Sequence, residues 1–297
     1  MMTEKEVIEY LRSPSVKRVV LDTDTANEAD DQFALAYAAL CPNIELVSVC
    51  AAPFTHTDGS DAGVGCAESF EEAKKVIELT GVRVPCHMGA ESFMKDTAMP
   101  VMSPAVSAIT DAAHMLASPA EPLVVCGIGA GTNIASALLL SPDIADRIIV
   151  LWQAGNSPEN GSGGEYNMCG DIAAAKVIFD SGVPLVQCPA YDTASVLSVS
   201  LGELEQNIGE TGGRLCGYLL ERLYSYVGTR SPSVTKVIWD IGVIGILDRF
   251  FCVLEVRDRP KVTDAGTYTD GKGSMVLCSS LDRAAVYGGL YRAVAGK

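Results

Sequence analysis

Between positions 22 and 31 the chain reads DTDTANEADD and carries four aspartates, Asp22, Asp24, Asp30 and Asp31. Carboxylates this close repel one another unless they face bulk water or share a cation. They are hard oxygen donors, which suits Ca²⁺ or Mg²⁺ rather than Zn²⁺. The chemistry they offer is therefore that of a bound divalent cation. An Asp-rich loop also caps helices, and Asp30 stands before the apolar run Phe33–Tyr37 as an N-cap would. Capping takes one carboxylate, not four.

The elements that must position these groups follow from the apolar runs. Val19–Leu21 reads as a buried parallel strand, and the aspartates lie past its C-terminal end, where ligands bind in an open α/β sheet. Thr3 and Glu6 form a capping box for a leading helix through Leu11, and a helix to about Leu40 follows the acidic loop. Further strands are expected at Ile44–Ala52, Val82–His87, Leu123–Cys126, Ile148–Trp152 and Pro184–Cys188. Between them, helices are expected at Ala67–Leu79 (ended by Gly81), from the Ser103–Pro104 cap to Leu116, after the Gly-rich stretch 127–133 to Leu140, and at Asp171–Asp180. This alternation predicts an α/β fold with an open, mainly parallel sheet and crossover helices. Later helices are expected near 200–209, 212–227 and 281–294, with strands at Phe251–Val256 and Ser274–Cys278 as an antiparallel edge. With no linker, composition break or repeat, one domain over residues 1–297 is the simplest account.

A hydrophobic content of 48% with 20% charged residues supports a substantial core. The net charge of −15, without any basic cluster, argues against nucleic acid or an anionic membrane as partner. No apolar run approaches a membrane span. The ten cysteines are scattered, none in C-x-x-C spacing, and Cys50, Cys126, Cys188, Cys252 and Cys278 fall in apolar runs as small hydrophobes. With the charged N-terminal stretch MMTEKEVIEYLRS, this reads as a reducing, cytoplasmic setting without a disulfide framework.

Four segments together resemble the inosine–uridine nucleoside hydrolase family of calcium-dependent N-ribohydrolases. DTDTANEADD is similar to its D-x-D-P-G-x-D-D signature, with two extra residues between Asp24 and Asp30 and no Pro–Gly. GAGTNIASAL (129–138) is similar to G-x-x-T-N-x-A, and GN (155–156) with GEYNMCGDIAAAKVI (164–178) to its G-N…E-[FY]-N…D-x-x-A-A segment. Trp239–Asp240 stands where the family has its late metal-binding aspartate. Order and approximate spacing agree over roughly residues 17–250.

The resemblance implies a Rossmann-like nucleoside hydrolase fold and roles for particular positions. Asp24, Asp31, the backbone carbonyl of Thr132 and Asp240 would bind Ca²⁺, and water and the ribose hydroxyls would complete the shell. Asp30 would be the general base and Asp22 an orienting carboxylate behind the ligands. Asn156, Glu165 and Asn167 would bind the ribose. The substrate would be a small-molecule nucleoside, and the assembly a homodimer or homotetramer. Plain structural roles stand beside these: Asn133 as a helix-start hydrogen bonder, Asn156 as a turn residue, Glu165 and Asn167 as loop polars, and Asp240 as an N-cap. Breaking an N-glycosidic bond builds positive charge on C1′ and the ring oxygen, which surrounding carboxylates stabilise. A site that hydrogen-bonds ribose hydroxyls rejects 2′-deoxynucleosides.

The leaving base is less defined. Some family members carry a histidine directly before the late aspartate as general acid; here that position is Trp239, which resembles the purine-preferring branch, where a tryptophan stacks on the base. Core packing is the alternative for Trp239. Of the three histidines, His114 falls in an apolar helix pattern, His87 ends a strand, and His56 follows the second strand as the candidate for base contact, with Trp152 as another. Two other functions are compatible with parts of the pattern. Asp22–Thr25 fits the D-x-D-x-[TV] motif of haloacid-dehalogenase-type phosphatases, although no late G-D-x-x-x-D accompanies it. A non-catalytic Ca²⁺-dependent ribosyl-binding protein is the other.

Overall fold

The computed structural model describes residues 1–57, 59–160, 164–209 and 213–296. Its centre is an eight-stranded sheet. In chain order the strands are β1 (Lys17–Thr23), β2 (Ile44–Ala51), β3 (Cys86–His87), β4 (Leu123–Gly127), β5 (Ile148–Gln153) and β6 (Leu185–Cys188). After these come a two-stranded pair, β7 (Ser198–Ser200) and β8 (Thr235–Val237), then β9 (Cys252–Asp258), a small hairpin of β10 (Lys261–Val262) and β11 (Tyr268–Thr269), and β12 (Ser274–Leu281). The sheet order is β3-β2-β1-β4-β5-β6-β12-β9. All neighbours are parallel except β9, which runs antiparallel to β12 as the expected edge.

Strand β1 shows why the sheet is two-sided. Val19 and Leu21 enter one core and Val20 the other, the period of two that a pleated strand imposes. Helix α1 (Glu4–Arg12) begins with the capping box of Thr3 and Glu6. It is followed by α2 (Asp31–Leu40), α3 (Ala62–Thr80), α4 (Pro104–Leu116), α5 (Thr132–Leu140), the short α6 (Tyr166–Gly170) and α7 (Ile172–Asp180). A single turn, α8 (Leu201–Leu204), then precedes α9 (Gly213–Val227), α10 (Ile241–Arg249) and α11 (Arg283–Ala295). Among the described residues, no helix is long and apolar enough to cross a membrane.

Three expectations need correction. The strand expected at Val82–His87 is only Cys86–His87, because β3 is an edge that meets β2 at two positions. Helix α3 starts at Ala62, not Ala67, because Asp61 accepts from the Gly63 N–H and caps it early; it ends at Gly81, as expected, with a left-handed φ of 72°. The helix expected over 200–209 is one α-turn at Leu201–Leu204 and a widened π-turn at Glu205–Gly209. Position 212, the expected start of the next helix, lies outside the described residues. His114 lies in α4, as its helix pattern implies, and pairs with Asp143 at the surface.

The strand order reverses direction between β1 and β4, so their C-terminal ends diverge and leave a crevice. Gly89, just beyond β3, closes the layer beneath it. A Cβ there would lie 1.7 Å from the Ala51 carbonyl oxygen and 2.8 Å from Asn133 Nδ2. Gly89→Ala is therefore expected to cost about 2–4 kcal/mol, read in thermal denaturation as a melting temperature lower by roughly 5 °C. An unchanged melting curve would show that the backbones do not approach this closely.

Candidate active site

The crevice opens into a cleft of about 580 Å³. Its floor is acidic. Asp24 comes from the end of β1, Asp30 and Asp31 from the start of α2, and Asp240 from the residue before α10. All four are at most 4% exposed. Single oxygens of Asp30, Asp31 and Asp240 lie within 4.8 Å of one another. Asp24 faces the same cleft from outside this trio, one oxygen accepting from Asn27 Nδ2 at 3.0 Å. Asp30 and Asp240 both stand at N-cap positions, and neither side chain caps its helix. The structural reading of these aspartates as caps is thus not what the molecule does.

Each floor carboxylate is oriented from behind. Thr23 Oγ1 donates to Asp31 Oδ1 at 2.5 Å, Gln153 Nε2 to Asp240 Oδ1 at 2.8 Å, and the Trp239 N–H to Asp30 Oδ2 at 3.1 Å. Asp22 lies beneath the cleft, wholly buried, with Asn133 Nδ2 donating to Oδ1 at 2.8 Å and Oδ2 without a partner. Asn133 is therefore a structural hydrogen bonder, as read from the sequence.

The electrostatics are unfavourable as they stand. Burial, first of all, pushes Asp24 up to about 8 and Asp30 up to about 6, although the Lys236 charge pulls Asp30 back. Burial and then repulsion from the neighbouring aspartates hold Asp31 and Asp240 well above the usual carboxylate range. Burial also lifts Asp22 to about 7. A hard cation among these oxygens offsets both costs, and the donor set contains no soft ligand that would favour zinc.

The remaining expected residues divide. Glu165, Asn167 and Trp239 line the cleft. Glu165 also caps α6, its carboxylate accepting from the N–H groups of Gly155, Asn167 and Met168 at 2.6–3.0 Å. Asn167 spends Nδ2 on the carbonyls of Ile128 and Gln153. Thr132 does not line the cleft. As the first residue of α5 its carbonyl runs along that helix, and its hydroxyl donates to Asp171 at 2.7 Å. The residue of this segment that lines the cleft is Ile128, just past the end of β4. Asn156 is also outside the lining; its Oδ1 accepts from the Tyr191 N–H, a turn role. His56 turns outward to Glu68, 2.6 Å away, and Trp152 is core, donating to the Gly129 carbonyl. His87 does not line the cleft either, and Asp58 of the THTD stretch lies outside the described residues.

Sequence reasoning missed Asn27, Glu28, Ile128, Gln153, Tyr166 and Tyr191. Three had a signal. Asn27 and Glu28 sit in the stretch 25–29, which is two residues longer than in the motif it resembles, and Tyr166 lies between the two ribose candidates. Gln153 and Ile128 show themselves only once the strand ends are known. Tyr191 follows β6, and its ring meets Trp239 edge to face at 5.6 Å.

Residues 19–241 match the family described as inosine-uridine preferring nucleoside hydrolase. The chain is 30% identical over 187 residues to the non-specific ribonucleoside hydrolase RihC of Klebsiella pneumoniae strain 342, an alignment covering 57% of this chain and 60% of that protein. It thus spans about three-fifths of that relative's length. To RihC of Klebsiella pneumoniae subsp. pneumoniae it is 29% identical over 249 residues, 78% of this chain and 79% of the relative. In structure it resembles the purine-preferring ribonucleoside hydrolase from Gardnerella vaginalis, with a TM-score of 0.72, 19% identity and coverage of 94% and 98% of the two chains. At that identity the likeness is one of fold.

The raised carboxylates make metal-free protein pH-sensitive in a definite direction. Groups whose folded pKa exceeds the unfolded value bind more protons when folded, so stability is fullest below about pH 4 as far as these groups go and is lost as pH rises through the folded values, up to about 8 for Asp24. Chelated protein should therefore melt at a lower temperature at pH 8 than at pH 5.5. Millimolar Ca²⁺ should raise the melting temperature more at pH 8, by about 5 °C for a site near a hundredfold above its Kd. Equal cation effects at both pH values would contradict the assignment of these aspartates as the cation's ligands.

Proposed function

The chain belongs to the inosine-uridine preferring nucleoside hydrolase family, a metal-dependent family, and on that premise we propose that it hydrolyses the N-glycosidic bond of ribonucleosides, purine nucleosides foremost, to ribose and free base. The observation that carries the reading is the buried floor of Asp24, Asp30, Asp31 and Asp240 at the sheet's switch point, beside an aromatic wall. Ca²⁺ is the cation we assign. Asp24, Asp31, Asp240 and the Ile128 carbonyl, in place of that of Thr132, would hold it. When bound, it supplies charge that acidifies a water and takes ribose hydroxyl oxygens.

The chain's own groups supply the rest. Asp30, with one oxygen fixed by the Trp239 N–H and with the Lys236 charge favouring its ionised form, takes the proton of the attacking water. The floor carboxylates oppose the positive charge that grows on C1′ and the ring oxygen. Asn167 and Glu165 face the sugar from one side, and their own hydrogen bonds to backbone hold them there. Trp239 stacks on the base, with Tyr191 against its edge. Asp22 reaches nothing in the cleft, being sealed beneath it, so the phosphatase alternative, in which it would be the nucleophile, finds no support. The reading carries a cytoplasmic homodimer or homotetramer, whose assembly light scattering tests.

Reducing-sugar release from inosine, adenosine, uridine and cytidine, before and after chelation, tests the reaction. Chelator-sensitive release is expected, greater for the purines, and 2′-deoxynucleosides should be cleaved at least about a hundredfold more slowly. Binding of Ca²⁺ and ribose with no turnover of any nucleoside would leave the binding-protein alternative instead. Asp24→Ala and Asp240→Ala should lose Ca²⁺ and activity together. Asp30→Asn should retain Ca²⁺ by calorimetry and lose about a hundredfold or more in kcat; wild-type turnover in that variant would remove Asp30 from the base role.

A further inference from the structure

The insertion between Asp24 and Asp30 is short, yet it builds part of the cleft, because Asn27 and Glu28 both line it. Its path is fixed at both ends: the Asn27 N–H donates to the Asp24 carbonyl at 2.8 Å, and Gln32 Nε2 donates to the Thr25 carbonyl at 2.6 Å. Glu28 differs from the floor carboxylates in two respects. Its side chain is 36% exposed, and it has a cation of its own. Lys236 Nζ, on β8, donates to Glu28 Oε2 at 2.7 Å and to the Val237 carbonyl at 2.8 Å. That ammonium lies 5.9 Å from the centre of the Trp239 ring and 5.5 Å from that of Tyr226. Burial works against the Lys236 charge, but Asp30 and Glu28 outweigh it and keep the ammonium protonated. Glu28 is thus tied, through Lys236, to the aromatic end of the cleft.

The reaction leaves something for that end to do. A purine departs well only when a ring nitrogen has gained a proton, and among the described residues no histidine lines the cleft to deliver one. Resting on the N-ribohydrolase reading, we propose that Glu28 receives the departing base, its carboxylate accepting a hydrogen bond from an N–H of the purine as that base takes up a proton from solvent. The C1′–N bond breaks with its electron pair going to the base, the solvent proton ends on the base, and the attacking water gives its oxygen to C1′ and its proton to Asp30, which later returns it to solvent. A carboxylate touching the base favours the cationic, proton-bearing form over the neutral one, so its contribution grows toward the transition state. Lys236 fixes the carboxylate's orientation and prevents it from turning onto the acidic floor. Specificity follows: bases that present N–H donors at that edge gain from Glu28, and leaving groups that need no proton do not.

The test compares two kinds of leaving group in Glu28→Gln, which keeps the shape and removes the charge. Purified enzyme with Ca²⁺ is assayed on inosine and adenosine, and on p-nitrophenyl β-D-ribofuranoside, whose p-nitrophenolate departs unprotonated. The expected result is a fall of roughly 10- to 100-fold in kcat/KM for the purine nucleosides, the scale of a lost hydrogen bond to a charged group, with the aryl riboside changed by no more than about threefold. Retained aryl riboside turnover also shows that the variant is folded and its floor intact. Lys236→Met frees the same carboxylate from its anchor and also removes the charge that pulls Asp30 down, so it should lose rate on both kinds of substrate and more on the purine nucleosides. Equal losses on both kinds of substrate, or no loss on either, would overturn the role of Glu28 while leaving the hydrolase reading in place. A wild-type enzyme that cleaves neither kind of substrate would overturn that reading and this one together.

Discussion

The constraint on which the structure depends is mutual repulsion among carboxylates that the fold has removed from water. Four aspartates at most 4% exposed meet where β1 and β4 diverge. No arrangement of neutral neighbours cancels that cost; hydrogen bonds from Thr23, Gln153 and the Trp239 backbone only aim the oxygens. The site is therefore incomplete without a cation. The sheet's purpose follows, since strand ends splayed at a switch point are among the few places where rigid backbone brings residues from positions 24, 31 and 240 together.

The fold was largely legible from the chain because its strands are short apolar runs buried on both faces and its helices carry caps. Thr3 with Glu6, Ser103 with Pro104 and Gly81 mark ends that the structure retains. The illegible parts share a cause: periodicity reports which face is buried, not how far a ladder extends. Residues 82–84 have strand composition, but the ladder between β2 and β3 is confined to Val49–Cys86 and Cys50–His87. The early start of α3 turned on one aspartate, Asp61, whose capping role a loop of small and polar residues conceals.

In the site, the sequence revealed residue types better than it revealed directions. The acidic floor, Glu165, Asn167 and Trp239 stand in one cleft as read, because each lies at an element terminus where side chains converge. Thr132 was misjudged because a backbone carbonyl's direction depends on whether its residue is already helical. Thr132 is, so the cleft meets Ile128. Asn156 and His56 were misjudged because local partners, the Tyr191 N–H and Glu68, claim their polar atoms. Nothing in a single chain announces such competition.

The Trp239–Asp240 pair shows how few residues couple the two halves of the chemistry. They close β8's connection into α10, and Asp240 is left uncapped and free to face the floor. The backbone N–H of Trp239 is bonded to Asp30, while its ring meets Tyr191 at the aromatic end and lies near the Lys236 ammonium. A displacement of this one residue would thus move the proposed general base, a proposed cation ligand and the aromatic wall of the cleft at once. The ring's contacts with Tyr191 and the Lys236 ammonium help to hold this residue in place, and with it the backbone N–H that donates to Asp30. In the proposed reaction, base binding and water activation would then be ordered by the same packing, and a ribonucleoside seated against the ring would meet its general base already in place.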